Sequence, residues 1–289
     1  MSSDKLNYYA QLLSEQLDNC IGECNEPYKN LVQAMQYSLS AGGKHLRGAM
    51  LLESAVCCGG NLQKALPFAL AIEMIHTYSL IHDDLPEMDN SDFRRKKPAC
   101  HIKFGHDIAL LAGDGLLSYA VEYMCTNSQL EPKITLDIIC MMLSASGSNG
   151  MLAGQTLDKL GEKSQLDFDQ LVKLQQLKTG KLFESACLAG CMAFNASDKY
   201  IQAFKEYSRH IGLAFQIKDD FLDMDSSAEQ LGKPVLNDTD KNTFVKLLGR
   251  EKAQKLLLDE AALAKKAVSC LEKTDFFIWL ADFIVNRKN

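Results

Sequence analysis

Two short acidic stretches carry the residues in this sequence that are best suited to chemistry. The first is His82-Asp83-Asp84-Leu85-Pro86-Glu87-Met88-Asp89, and the second is Asp219-Asp220-Phe221-Leu222-Asp223. Each follows an apolar run whose spacing indicates a helix. Carboxylates that leave room for water suit Mg²⁺, which usually binds through one or two protein carboxylates and substrate phosphates. The two stretches therefore predict magnesium binding and phosphate chemistry.

The spacing of the aspartates differs between the two stretches. Asp219 and Asp223 are four positions apart, so a helix places both on one face, with their Cβ atoms about 6 Å apart. Asp83 and Asp89 are six positions apart and would point to different sides of a regular helix. Because Pro86 disrupts helical hydrogen bonding, we expect the helix to be broken here, with a bulge that returns Asp89 towards Asp83. For each stretch alone, a solvated acidic helix end is the competing interpretation.

Cationic residues lie on both sides of the first acidic stretch. They are Lys44 and Arg47 after the glycine pair Gly42-Gly43, His76 just before the stretch, and Arg94, Arg95, Lys96 and Lys97 after it. Arginine guanidinium groups match phosphate oxygens in bidentate geometry. We therefore expect Arg94 and Arg95 to contact phosphate, and Lys96 and Lys97 to be ordinary surface residues. A satisfied core histidine is the competing interpretation of His76.

Polar residues also interrupt the apolar helical patterns around the second stretch. Lys178, Thr179 and Gln216 stand in such patterns, where polar groups need partners and indicate a cavity. Lys233 and Lys241 belong to the polar segment 226–242. They could close over a diphosphate, and the competing interpretation is that they are generic loop lysines.

Composition excludes several other classes of protein. The 289-residue chain has a formal net charge of −6, which argues against a nucleic-acid-binding surface. Its longest apolar run, residues 66–81, is shorter than the roughly 20 residues that a spanning helix needs, and the first residues show no signal-peptide pattern. We expect a cytoplasmic protein without a membrane span. The ten cysteines show no Cys-x-x-Cys pattern, so we expect reduced core residues rather than zinc ligands.

The apolar periodicity predicts an all-α protein with about ten or more helices in a single domain, 1–289. No stretch shows the clean alternation of a half-buried strand. The predicted helical regions are two helices within 5–40, one from about 62 to the first acidic stretch, single regions at 108–124, 132–146, 167–195 and 199–223, and two helices within 244–287.

Taken in order, these motifs resemble those of the trans-isoprenyl diphosphate synthases, and most closely those of bacterial short-chain farnesyl diphosphate synthases. The matching motifs are Gly42-Gly43-Lys44-x-x-Arg47, His82-Asp83-Asp84-x-Pro86-x-Met88-Asp89, Arg94-Arg95-x-x-Pro98-x-x-His101, Gly154-Gln155-x-x-Asp158, Lys178-Thr179-Gly180, Gln216-x-x-Asp219-Asp220-x-x-Asp223 and Gly232-Lys233. Two positions depart from the family pattern, since His45 stands where relatives often have arginine and Gly48 where they commonly have proline. The segment 232–243 is also shorter than usual, which leaves the match of Lys241 open.

The resemblance implies the isoprenoid synthase fold, in which helices surround a deep central cavity, and it implies a homodimer. Three Mg²⁺ ions, with Mn²⁺ as a substitute, would be bound by Asp83, Asp89 and Asp219, with support from Asp84, Asp220 and Asp223. The implied contacts with the allylic diphosphate are Arg94, Lys178, Gln216, Lys233 and Lys241. The implied contacts with isopentenyl diphosphate are Lys44, Arg47, His76 and Arg95.

The implied reaction is head-to-tail condensation of isopentenyl diphosphate with dimethylallyl or geranyl diphosphate, which gives (E,E)-farnesyl diphosphate and diphosphate. The implied catalytic residues are Asp83, Asp84, Asp89, Arg94, Lys178, Thr179, Gln216, Asp219, Asp220 and Lys233. Tyr78, five residues before Asp83, would form the floor of the product pocket and points to a C15 product.

Three other functions compete with this one. A geranylgeranyl diphosphate synthase is the first, because Tyr78 is one of several residues that shape the pocket. A class I terpene cyclase shares the fold, but such enzymes usually replace the second acidic stretch and need no isopentenyl site. A non-catalytic subunit should have lost aspartates, and all six are present.

Overall fold

The computed structural model describes residues 2–229 and 242–288, except for the side chains of 226–229. These residues are almost entirely helical, which confirms the predicted all-α class. The helices are α1 (Ser2–Asn19), α2 (Lys29–Leu39), α3 (Leu46–Cys57), α4 (Leu62–Asp83), α5 (Cys100–Phe104), α6 (His106–Asn127), α7 (Pro132–Ser146), α8 (Met151–Gly161), α9 (Phe168–Gln175), α10 (Lys181–Ala193), α11 (Asp198–Glu229), α12 (Phe244–Leu248), α13 (Arg250–Val268) and α14 (Asp275–Asn286).

The chain divides into two compact units. Apart from the first two residues, the first unit comprises Ser3–Cys140 and Ala189–Asn195, and the second comprises Met141–Leu188 and Ala196–Asn289. The division falls inside helices α7 and α10. The single domain expected for 1–289 stays a prediction.

Helix α4 is the centre of the first unit because it is apolar on nearly all sides. Phe68, Ile72 and Met74 have no exposed surface. A helix that is apolar all round must be covered all round, and helices α3 and α6 pack against it. Small residues allow this close packing. A Cβ atom on Gly48 of α3 would lie 3.2 Å from the carbonyl oxygen of Ala69 on α4.

Helix α11 has the same role in the second unit. It packs against α13, α14 and a π-helical segment, Gln176–Gly180, that joins α9 to α10. The rings of Phe204 and Tyr207 lie 4.7 Å and 5.1 Å from the ring of Phe277. The Tyr207 hydroxyl donates to the Phe277 carbonyl oxygen at 2.8 Å, so this buried polar group is satisfied. The aromatic cluster fixes α14 against α11.

The structure differs from the sequence predictions at several points. A hairpin of two strands, β1 (Phe93–Arg94) and β2 (Lys97–Pro98), was not expected, because two-residue strands are too short to show alternation. Gly249, with a φ of 77°, separates α12 from α13, so the terminal region holds three helices rather than two. All ten cysteines are free thiols, but Cys125, Cys140 and Cys270 are exposed, so the prediction of core residues is wrong for these three.

Two helical stretches, His106–Asn127 and Pro132–Gly161, reach the length and hydropathy of a membrane span. The core helices of proteins that never enter a membrane meet the same criteria. Length and composition are therefore only a weak indication of a span, and its expected absence stays a prediction.

Candidate active site

The first acidic stretch forms a tight turn at the C-terminal end of α4. The backbone N–H of Asp89 donates to the carbonyl oxygen of Asp83 at 2.9 Å, so Asp89 does return towards Asp83. The helix is broken at this stretch, as expected, but by a helix end rather than a bulge. Helix α4 ends at Asp83, and Pro86 lies in the turn that follows. Terminating the helix frees the backbone to reverse within six residues.

Asp84, which follows the last residue of α4, is buried and engaged by Arg94. Its side chain is 3% exposed, and Arg94 Nε lies 3.1 Å from each of its carboxylate oxygens. Arg94 Nη2 adds a contact of 2.5 Å to Oδ1. Multiple charge-assisted hydrogen bonds of this kind fix the plane of the guanidinium group. In this arrangement Asp84 orients Arg94, so the support for a metal ion implied for Asp84 would be indirect.

The hairpin presents Arg95 at its turn. Arg95 and Lys96 are the two turn residues, with φ values of 52° and 64°. Two-residue hairpin turns need positive φ at such positions, which non-glycine residues adopt at a cost in energy. Lys97 Nζ donates to the carbonyl oxygen of Ser40 at 3.0 Å, which ties the hairpin to the end of α2. Strain of this kind is common at functional sites. Here the strained turn places the Arg95 side chain against Gly43.

The turn brings Arg95 against the glycine pair that precedes Lys44. A Cβ atom on Gly43 would lie 2.7 Å from Arg95 Cζ, so a larger residue would displace the guanidinium group. Gly43 also has a φ of 140°, which side chains disfavour. The guanidinium group of Arg95 therefore lies directly against the backbone of Gly43.

His76 belongs to the same cluster of cationic groups. Desolvation, followed by the charge of Arg47, lowers the pKa of His76 well below its ordinary value. Arg95 and Arg94 act in the same direction, and Glu73 opposes them. Arg47, His76 and Arg95 therefore form one electrostatically coupled group, and His76 is neutral within it. Lys44 is exposed. The role of these residues in binding isopentenyl diphosphate stays a prediction.

Tyr78 lies in the interior of the first unit. Its side chain is buried, and its ring centroid is 5.7 Å from the ring of His82. Burial and then the charge of Asp83 raise the pKa of Tyr78 to about 12, so the phenol is neutral. A bulky, neutral aromatic ring at this depth is suited to the role of a pocket floor, which stays a prediction.

The second acidic stretch lies inside α11 without a break. Asp219 and Asp223 are therefore on one helix face, as predicted. Burial is the main cause that raises the pKa of Asp220 to about 7. The neighbouring carboxylates of Asp219 and Asp223 add to it, and the N–H of Phe244, which donates to Asp220 Oδ2 at 2.7 Å, acts against it. Carboxylates that repel one another in this way favour a bound cation.

Arg287 supplies positive charge to this stretch. Its Nη2 donates to Asp219 Oδ1 at 2.5 Å and to the carbonyl oxygen of Phe215 at 2.9 Å. Its guanidinium group also lies 4.0 Å from the centroid of the Phe215 ring. The Arg287 side chain is 8% exposed and that of Asp219 is 32% exposed. The motifs in the sequence did not identify Arg287.

Lys178 and Thr179 lie in the π segment. Segments of this kind are rare and often occur at functional sites. Lys178 Nζ donates to Asp158 Oδ2 at 2.5 Å, and Thr179 Oγ1 donates to Gln216 Oε1 at 2.9 Å. The partners that these polar residues were expected to need are therefore present. Gly154 makes room for the segment, because a Cβ atom there would overlap the backbone of Lys178.

The donor set of both acidic stretches fits Mg²⁺, since every candidate ligand is a carboxylate and hard oxygen ligands suit this ion. In the part of the chain that the structure describes, no three His, Cys, Asp or Glu side chains are grouped closely enough to hold a metal ion. Lys233 and Lys241 lie outside the described residues.

Comparison with known proteins decides the family. The polyprenyl synthetase family model matches residues 28–273. The chain belongs to the polyprenyl synthetase family.

Relatives within this family are similar over nearly their whole length. Farnesyl diphosphate synthase of Micrococcus luteus is 40% identical over 290 residues, covering 99% of each chain. Geranylgeranyl diphosphate synthase of Cyanophora paradoxa is 40% identical over 287 residues, covering 96% of this chain and 94% of the relative. The crystal structure of an FPP/GFPP synthase from Zymomonas mobilis superposes with a TM-score of 0.89 at 34% identity and covers 99% of this chain and 100% of its own. The predicted family and fold are confirmed.

No role was predicted for three residues that interact with predicted site residues of this polyprenyl synthetase: Glu73, Asp158 and Arg287. Glu73 had a visible signal, because it is a charged residue within an otherwise apolar run. Asp158 was part of a family motif but had no assigned task. Arg287 had no signal, since it lies 68 residues from Asp219 in the sequence.

Proposed function

We propose that this protein is a Mg²⁺-dependent prenyltransferase that condenses isopentenyl diphosphate with dimethylallyl or geranyl diphosphate to give (E,E)-farnesyl diphosphate. The observation that carries the proposal is a second cationic group, Arg47 and Arg95 around the neutral His76, in addition to Arg94 beside the first acidic stretch. A transferase must hold two diphosphates, and a cyclase needs only one. The 40% identity to the Micrococcus luteus farnesyl diphosphate synthase supports the product.

The residues divide between the two substrates. Lys44, Arg47, His76 and Arg95 bind isopentenyl diphosphate. Arg94, Lys178 and Gln216 contact the allylic diphosphate, together with Lys233 and Lys241 from outside the described residues. Mg²⁺, when bound, supplies positive charge that stabilises the leaving diphosphate. Asp83, Asp89 and Asp219 would hold it, with support from Asp84, Asp220 and Asp223.

The reaction begins when the C–O bond of the allylic diphosphate breaks and its electron pair leaves with the diphosphate. Arg94 and Lys178 stabilise the negative charge that develops on the leaving group. The double bond of isopentenyl diphosphate then forms the new C–C bond to the allylic cation, and a proton passes to the released diphosphate. The dipoles of Thr179 and Gln216 steady the cation, and apolar surroundings exclude the water that would quench it.

The experiment is an incubation of purified protein with Mg²⁺, isopentenyl diphosphate and either dimethylallyl or geranyl diphosphate. Chromatographic sizing should show a C15 product from both starters. A parallel reaction with EDTA should give none, and Mn²⁺ should restore turnover. The absence of any condensation product with Mg²⁺ would refute the proposal.

A geranylgeranyl diphosphate synthase is the second candidate. The equal identity to the Cyanophora paradoxa geranylgeranyl diphosphate synthase favours it. The same incubation distinguishes the two, because a C20 main product would replace the C15 product.

A homodimer is proposed as well, on the basis of the family. Leu110 and Leu111 on α6 are 47% and 50% exposed, which is unusual for large adjacent apolar residues and suits a covered face. Light scattering coupled to size-exclusion chromatography should give twice the chain mass. A monomeric mass at micromolar concentration would contradict this proposal.

A further inference from the structure

Glu73 is a buried carboxylate in the middle of α4 that accepts hydrogen bonds from the start of α3. It is 3% exposed. His45 Nδ1 lies 3.0 Å from its Oε2, and the backbone N–H of Gly48 donates to its Oε1 at 2.8 Å. Burial acts to raise the pKa of Glu73, but the hydrogen bonds from His45 and from the Gly48 N–H hold it below its ordinary value. Glu73 is therefore ionised.

The hydrogen bond to Glu73 determines which ring nitrogen of His45 carries a proton. An ionised carboxylate cannot donate, so His45 Nδ1 must carry the proton. His45 Nε2 is buried and has no hydrogen-bond partner.

His45 also has a backbone conformation that needs support. Its φ and ψ are both 44°, in the left-handed region that residues with side chains seldom adopt. Conformations of this kind persist only where surrounding contacts hold them. The hydrogen bond to Glu73 is such a contact, and it sets the direction in which the chain enters α3.

The segment that Glu73 holds carries two of the proposed isopentenyl diphosphate residues. Lys44 immediately precedes His45, and Arg47 lies between His45 and Gly48. Glu73 therefore fixes the chain on both sides of Arg47. It also acts electrostatically on His76 and on Arg95.

We propose that Glu73 is a positioning residue that holds Lys44 and Arg47 in place for isopentenyl diphosphate through its hydrogen bonds to His45 and Gly48. His45 and Gly48, the two residues that depart from the family pattern, both contact Glu73. Proline at position 48 has no N–H to donate, so the second hydrogen bond depends on the residue that this chain has instead. The identity of the ligand rests on the proposed function, whereas binding of a diphosphate does not.

The first test compares His45→Ala with His45→Asn. Asparagine tolerates the left-handed conformation and places an N–H donor where His45 Nδ1 lies, and alanine offers neither. Calorimetry with isopentenyl diphosphate, without metal or allylic substrate, should show about tenfold weaker binding for His45→Ala, as expected for a lost hydrogen bond to a charged group. His45→Asn should stay within about threefold of the natural protein.

A second pair of variants covers the case in which His45→Ala fails to fold. Gly48→Pro removes the N–H, and Gly48→Ala keeps it. Each adds a Cβ atom that would lie 2.7 Å from Leu13 Cδ1, so the two share the steric cost. Proline also adds ring atoms and restricts the backbone of Arg47, so the difference between the two variants sets an upper limit on the effect of the hydrogen bond to Glu73. Gly48→Pro should bind isopentenyl diphosphate more weakly than Gly48→Ala by about tenfold.

Steady-state kinetics supply the readout that a merely structural role would not change. In His45→Ala, the KM for isopentenyl diphosphate should rise and the KM for geranyl diphosphate should not. Equal affinity for isopentenyl diphosphate in both members of each pair would overturn the inference and leave the proposed function intact. Conversely, if no variant or natural protein forms product but the binding differences appear, the proposed function fails and the positioning role stands.

Discussion

The two acidic stretches balance their charges with partners from very different distances along the chain. In the first, Asp84 is paired with Arg94, ten residues later, and the carboxylate is buried. In the second, Asp219 is paired with Arg287, 68 residues later, and a third of the Asp219 side chain stays exposed. One pair closes within a contiguous piece of chain, whereas the other forms only after α14 has packed on α11.

This difference indicates different roles for the two arginines. In the first pair the carboxylate is the buried member, so losing Arg94 would leave Asp84 as an uncompensated buried charge. In the second pair the arginine is the buried member, so losing Arg287 would leave a carboxylate that solvent can reach, at a smaller cost. We infer that Asp84 holds Arg94 rigidly, whereas Asp219 tolerates the loss of Arg287.

The largest effect is expected when the proposed metal ligands themselves are removed. Asp83→Ala and Asp219→Ala should each lower kcat by about a thousandfold, as expected when charge stabilisation of the leaving group is lost. Turnover is measured with geranyl and isopentenyl diphosphates. Asp225→Asn is the matched control, because Asp225 lies on the same helix, is 56% exposed and pairs with Arg250. If either alanine variant keeps turnover, that stretch does not hold the metal.

A change in product length is expected from the first region alone. Replacing Tyr78 by alanine opens the buried space five residues before Asp83, so products longer than C15 should become the main products. Tyr78→Phe keeps the ring and should still give C15. Chromatographic sizing of the products is the measurement, and an unchanged distribution in Tyr78→Ala would remove the floor assignment.

The loss in free energy of unfolding should differ between variants of Arg94 and Arg287. Arg94→Ala leaves Asp84 buried without its partner and should lower the free energy of unfolding by about 3 kcal/mol. Urea denaturation provides the measurement. The double variant Asp84→Ala/Arg94→Ala removes the stranded charge, so it should be more stable than Arg94→Ala. A double variant as unstable as the sum of both single changes would contradict this view of the pair.

The smallest effect is expected for Arg287→Ala. Asp219 reaches solvent, so losing this pair should cost about 1 kcal/mol or less in the same denaturation experiment. Arg287→Lys keeps the positive charge but lacks the guanidinium group that lies against the Phe215 ring, so it separates these two contributions. If Arg287→Ala lowers the free energy of unfolding as much as Arg94→Ala does, the two ion pairs contribute equally to stability and the proposed difference between them is wrong.

The sequence predicted the features that depend on regular periodicity. The bounds of α7 matched the expected 132–146, because its apolar spacing is uninterrupted. The placement of Asp219 and Asp223 on one face followed from their spacing within an unbroken helix. The return of Asp89 to Asp83 was also predicted, but a bulge was the wrong cause, since spacing alone cannot tell a distorted helix from one that ends.

The remaining features depend on contacts that a local pattern does not contain. The hairpin that carries Arg95 has strands of two residues and a turn without glycine, so neither strand nor turn signals were present. The pairing of Arg287 with Asp219 depends on how α14 packs. Glu73 was visible as a charge in an apolar run, but its partners His45 and Gly48 come from another helix start.

The π segment Gln176–Gly180 sets the rotational phase of the chain around Lys178. Each residue of an α-helix turns the chain by about 100°, so the additional residue in a π turn shifts the direction of its side chains relative to an unbroken helix. Deleting one residue here would allow α9 and α10 to join with regular hydrogen bonds. The same deletion would turn Lys178 away from Asp158 and Thr179 away from Gln216. A regular α-helix through this segment is therefore incompatible with the contacts of Lys178 with Asp158 and of Thr179 with Gln216.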